Sequence, residues 1–152
     1  MLSPETFDLV VRHTPLVSID LLVRDAQRRL LVGRRVNRPA RDTWFVPGGR
    51  IEKDEKLDEA FRRITRAELG VIVERSASRF VGCFEHFYPD NRHALPGFGT
   101  HYVVLAHEIS GVALDTLPDE QHQGYRWLSD AEVLADPGVH ENTKAYCRTT
   151  GR

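Results

Sequence analysis

A chain of 152 residues, 41% hydrophobic and 28% charged, has the length and composition of one globular domain, expected to span residues 1–152 around one core. Its net charge of −1 excludes the basic footprint of a nucleic-acid partner, and no apolar run approaches the ~20 residues of a membrane span. Two distant cysteines, Cys83 and Cys147, fit neither a disulfide framework nor a zinc site, and the N-terminal residues lack a basic-then-apolar secretory pattern, so a cytoplasmic protein is expected.

In chain order, Ser3-Pro4-Glu5 opens a helix, with Ser as N-cap, Pro in the first turn and an acid next. Phe7, Leu9, Val10 and Val11 give that helix an apolar side. Residues 16–23 read as a buried strand. Asp20 lies inside it, and because a bare buried carboxylate is costly it needs substrate hydroxyls or an Arg as partner. Polar residues 25–29 and a second strand at 30–35 complete a hairpin. Residues 36–43 form a loop, and Trp44-Phe45-Val46 a short strand stopped by Pro47-Gly48-Gly49. Residues 56–69 are the main helix: Leu57, Phe61, Ile64 and Leu69 recur at helical spacing and Gly70 is the stop. Strands at 80–88 and 101–109 flank the loop PDNRHALPGFG, long and polar enough to border a site. A connector at 111–124 leads to a short strand at 125–128. Ser129 and Glu132 form a capping box for the next helix, and a last helix covers 140–148. The order α β β β α β β β α α predicts an α+β fold, a mixed β-sheet sandwiched between helices.

Nearly all cationic side chains are Arg, which suits bidentate phosphate contacts, although a bias towards Arg codons explains most positions as well. The stretch PGGRIEKDEKLDEAFRRITRAELGV is the most informative. Gly49, Glu55, Arg63, Glu68, Gly70 and Val71 follow the spacing G-x5-E-x7-R-E-U-x-E-E-x-G-U, with U aliphatic, and the segment resembles the Nudix box. Three positions depart from it: Ile64 and Ala67 replace acids, and Thr65 an aliphatic residue. Positions 64, 67 and 68 share one helix face. One carboxylate there, Glu68, suits one Mg²⁺ whose octahedron is completed by carbonyl, amide oxygen, water and phosphate.

The wider chain resembles the GDP-mannose mannosyl hydrolases, a Nudix subfamily with the same two losses. The likeness is carried by RHTPLVSIDLLV, VGRRVNRPARDTWFVPGGR, KDEKLDEAFRRITRAELG, EHFYPDN, THYVVL, LPDEQHQGYRWLSD and VHENTKAY. It weakens at 71–79, 92–99 and 110–116. The resemblance implies hydrolysis of a GDP-sugar, GDP-mannose or GDP-glucose, with one Mg²⁺ per site (Mn²⁺ able to replace it). Water attacks the sugar C1 with inversion. It implies metal ligation by Glu68, Gln121 and the carbonyl of Gly48, and His122 as general base. Arg35, Arg50 and Arg63 match positions facing the leaving diphosphate, although Arg63 equally suits orienting Glu55. Arg34 is a further candidate. His86, Tyr88, Tyr102 and Asp20 are implied substrate contacts, and Phe7 a stacking partner for guanine. Arg38 reads phosphate or braces the loop before Trp44. A homodimer with the N-terminal segment at its interface is also implied. Two rivals stay open: a Nudix diphosphatase cutting a P–O bond, and a non-catalytic nucleotide-sugar sensor.

Overall fold

A computed structural model describes residues 1–114, 117 and 122–149, with the side chains of 122, 123 and 149 excepted. In order, the elements are α1 (Pro4–His13), β1 (Leu16–Arg24), β2 (Leu30–Arg35), β3 (Trp44–Phe45), β4 (Gly48–Arg50), α2 (Leu57–Leu69), a 3-10 turn (Arg75–Ala77), β5 (Arg79–Tyr88), β6 (Thr100–Ser110), β7 (His122–Leu128), α3 (Asp130–Ala135) and α4 (Glu141–Thr149). Among the described residues no helix is long and apolar enough to cross a membrane.

The strands form one mixed sheet in the order β3-β2-β1-β6-β5, with β4 added to β1 and β7 to β2. β1 and β6 run parallel from Leu16 opposite Tyr102 to Arg24 opposite Ser110, and the other pairings are antiparallel. The other edge of β1 is shared. Its end meets β2 at Arg24↔Leu30, while Ser18, Ile19 and Asp20 pair with β4. β2 meets β1 at Leu30 and then pairs with β3 at Gly33 and Arg34, while β7 runs along its other edge, so β1 and β2 part and leave Asp20 beside β4.

Side chains alternate across β1 with the period of two that a strand dictates. Ile19, Leu21 and Val23 pack with Ala60, Phe61, Ile64 and Leu69 of α2. Leu22 joins Leu30, Val32, Phe45, Val133, Tyr146 and Cys147 on the face covered by α3 and α4. Both faces are therefore buried, which gives the expected α/β/α sandwich. Asp20 shares the face of Leu22, and so looks towards α4.

The strand at Trp44–Phe45 does stop before Pro47, but the two glycines read as part of that stop open a further strand, Gly48–Arg50. Glycine weighs against a strand on propensity. Close approach requires it at this place: a Cβ on Gly48 would lie 2.6 Å from both the Ile19 carbonyl and Asp20 Oδ1, and one on Gly49 would lie 3.0 Å from Ile64 Cγ1. β7 likewise begins at His122, earlier than the expected 125.

Candidate active site

At the parting of the strands lies a cavity of about 530 Å³, walled by side chains from α1, β1, β2, β4, α2, β5 and β6. It gathers Phe7, Asp20, Arg35, Gly48, Arg50, Arg63, Glu68, His86, Tyr88 and Tyr102, residues spread over most of the chain. Arg34 and Arg38 are not in its lining. Arg34 alternates away from Arg35 on β2 and is exposed, and Arg38 is spent on Asp90 at 3.1 Å. Gln121 lies outside the described residues. For His122 only the backbone is described, and it opens β7 opposite Arg35.

The cationic wall is uneven. Arg63 gives its fork to Glu55, Nε to Oε2 at 2.7 Å and Nη2 to Oε1 at 2.9 Å, and Nη2 also reaches the Arg50 carbonyl at 2.8 Å. It therefore braces β4 against the loop before α2, and its hydrogen bond holds Glu55 below the usual carboxylate range. Arg35 is different. Its guanidinium lies 5.8 Å from the Phe45 ring, and its Nε is buried with no hydrogen-bond partner among the described residues. A buried cationic donor left without a partner is costly and suits an anionic ligand. Arg50 lies 5.3 Å over the Phe7 ring.

The acidic groups are Asp20 and Glu68, both buried, with exposed Glu52 at the rim. Of the partners expected for Asp20, Arg35 acts on it through its charge, and the hydrogen bond comes from elsewhere. Asp20 accepts a hydrogen bond from the Tyr146 hydroxyl at 2.5 Å. Burial pushes its pKa up to about 7, the Tyr146 bond and Arg35 pull it down, and the Glu68 charge raises it. His86 is 3% exposed, and burial followed by repulsion from His140 takes its pKa down to about 4, so the ring is neutral near pH 7. Burial raises Tyr88 and Tyr102, which keeps both phenols protonated as hydrogen-bond donors.

Ile64 and Ala67 also line the cavity, so the two lost acids of the box are lost at the site itself. Among the described residues no group of three or more His, Cys, Asp and Glu gathers to hold a metal. Buried Glu68 and the backbone of Gly48, with ligand phosphates, suit one hard divalent cation of the kind Nudix enzymes generally use, such as Mg²⁺.

Several lining residues escaped the sequence reading. Arg92 and His93 come from the loop that was expected to border a site. His93 Nδ1 lies 2.7 Å from Asp8 Oδ1, and Arg12 sits 4.6 Å over Phe98, so α1 is strapped to this loop across the cavity mouth. Tyr146, behind the lining, stood in the sequence only as the last residue of the resembling stretch VHENTKAY, in a helix where a tyrosine reads as core.

A NUDIX domain family model matches residues 14–149. The low-salt glycan biosynthesis protein Agl8 of Haloferax volcanii is 35% identical over 145 residues, 93% of this chain and 86% of that one. An m7GpppN-mRNA hydrolase, NUDT17 of Danio rerio, is 35% identical over 77 residues, 48% of this chain and 26% of its own. Among solved structures, a MutT protein from Methanosarcina mazei superposes with a TM-score of 0.70 at 20% identity, covering 91% of this chain and 96% of that one. The NUDIX domain of Shewanella oneidensis NrtR complexed with ADP ribose gives 0.68 at 17%, covering 99% and 92%. These two share the fold alone. The family match along residues 14–149, the Haloferax relative and a box helix facing an arginine-lined cavity together establish that the chain belongs to the Nudix family of hydrolases.

Proposed function

We propose that the protein hydrolyses a GDP-sugar, GDP-mannose or GDP-glucose, at the sugar C1–O bond with inversion. The observation that carries this reading is the apolar replacement of two box acids at the cavity wall, Ile64 and Ala67, beside retained Glu68 and the unpartnered Nε of Arg35. The Haloferax relative is named for glycan biosynthesis, a process fed by nucleotide-activated sugars, which supports the same substrate class.

In this reading Arg35 and Arg50 take the diphosphate, and Phe7 stacks against guanine beside Arg50. Asp20, His86, Tyr88 and Tyr102 contact the sugar side. Glu68, Gln121 and the Gly48 carbonyl would hold one Mg²⁺, which supplies charge neutralisation on the diphosphate. His122 takes the proton of a water whose oxygen bonds to C1. The C1–O bond breaks with its electron pair going to GDP, which departs as an anion and needs no general acid. The comparison is with inverting glycosidases, where water also attacks opposite the leaving group. A homodimer is part of the proposal, supported by the exposed Met1, Leu2, Leu9 and Val17 at and near the N-terminal segment.

The test is release of GDP and free sugar from GDP-mannose with Mg²⁺, for the wild type and His122→Gln. The variant is expected to turn over roughly 10²–10⁴-fold more slowly, the range that general-base catalysis contributes, with metal affinity retained. A near-normal rate removes His122 from the role, and tight GDP-sugar binding without any wild-type turnover points to a sensor.

A further inference from the structure

A carboxylate at a cavity wall presents a ligand with a better-defined acceptor when its rotamer is held from behind. Asp20 on β1 faces α4, and Tyr146 on α4 meets it there. The Tyr146 ring is fully buried, edge-on to Phe84 at 4.8 Å between centroids and 5.9 Å from His86. Its hydroxyl donates to Asp20 Oδ2 at 2.5 Å and lies 3.4 Å from His86 Nε2. Asp20 and His86 line the cavity, and Tyr146 does not. The other oxygen, Oδ1, sits over Gly48, where a Cβ would come within 2.6 Å of it.

We propose that Tyr146 is a positioning residue: by holding Oδ2 of Asp20 it presents Oδ1 to a hydroxyl of the ligand's sugar. The inference rests on the GDP-sugar reading of the cavity and goes beyond it, by assigning a specificity role to a helix behind the site. The hydrogen bond from the Tyr146 hydroxyl to Oδ2 restricts how the Asp20 carboxyl group can turn. Through Tyr146 the C-terminal helix sets the geometry of a carboxylate on the central strand, 126 residues away in the chain.

The test compares the wild type, Tyr146→Phe, Asp20→Asn and the double variant, with GDP-mannose and with GDP, in Mg²⁺ and below the melting temperature. Tyr146→Phe keeps the ring against Phe84 and removes only the hydroxyl. Its kcat/KM for GDP-mannose is expected to fall ~10–100-fold, as for loss of a buried hydrogen bond to a charged group. GDP affinity is expected to stay within ~2-fold, and in the Asp20→Asn background the tyrosine change should cost no more than ~2-fold further, because it acts through Asp20. Unchanged kcat/KM, an equal loss of GDP affinity, or full additivity with Asp20→Asn would each overturn the proposal. If Tyr146→Phe does not fold, Asp20→Asn decides: it must lose GDP-mannose and keep GDP, and a parallel loss of both overturns the proposal. A wild type that neither binds nor hydrolyses a GDP-sugar removes the functional reading and this inference together. An active wild type with an indifferent Tyr146→Phe removes the inference alone.

Discussion

At the residue scale, the site is set by which charged groups find partners inside the protein. Arg63 is committed to Glu55 and the Arg50 carbonyl, while the Nε of Arg35 has no protein partner among the described residues, so Arg35 is the better anion receptor of the two. Histidines titrate along the same lines. His107 is 5% exposed, with Nδ1 3.0 Å from Ser78 Oγ and its ring edge-on to Phe61 at 5.1 Å. Burial, then the Arg75 charge, lowers its pKa below the ordinary 6.5. The folded state holds it neutral where the unfolded chain is already taking up a proton. The stability it contributes is therefore present above pH ~6.5 and lost as pH falls below that value. His86 and His140 act in the same sense, and Asp20, raised from 3.8 to about 7, acts in the opposite one, its contribution being full below the lower value and lost by the upper. In His107→Phe the difference in melting temperature between pH 7.5 and pH 5 is expected to be smaller than in the wild type. An undiminished difference would show that His107 does not titrate with folding.

At the scale of elements, β4 is where steric demand is highest. Gly48→Ala would place a Cβ 2.6 Å from the Ile19 carbonyl, a backbone atom that cannot turn aside, while Gly49→Ala meets only the Ile64 side chain at 3.0 Å. Gly48→Ala is expected to cost roughly 1–3 kcal/mol, the range for overpacking, and to lower the melting temperature more than Gly49→Ala does. The reverse order, measured by thermal unfolding, would contradict this packing. The same element explains what the sequence could show. α2 was legible because apolar spacing and a terminal Gly70 in the left-handed region agree on one helix. β1 was legible as a continuous apolar run. β4 was not, since its glycines are there to admit a neighbouring strand, and no local propensity reports a neighbour distant in sequence. Tyr146 was hidden for the related reason that its ring is core and only its hydroxyl serves the site.

At the scale of the molecule, two buried faces fix the sheet, and the site occupies a place where the edge of β1 is divided between β2 and β4. Cutting Phe61 back to Ala would open the α2 face at a cost of ~3–5 kcal/mol, whereas the cavity is lined where β1 is divided between β2 and β4. The box residues made the fold legible, and the lost acids at 64 and 67 led to the proposed chemistry. The loop residues Arg92 and His93 were not legible as site residues, because their approach to the cavity depends on how α1 and the loop close on each other. The central claim, attack at carbon instead of phosphorus, is tested most directly by hydrolysing GDP-mannose with Mg²⁺ in H₂¹⁸O and weighing both products by mass spectrometry. Carbon attack places one ¹⁸O in the free sugar and leaves GDP unlabelled, whereas ¹⁸O in a phosphate-bearing product would contradict it.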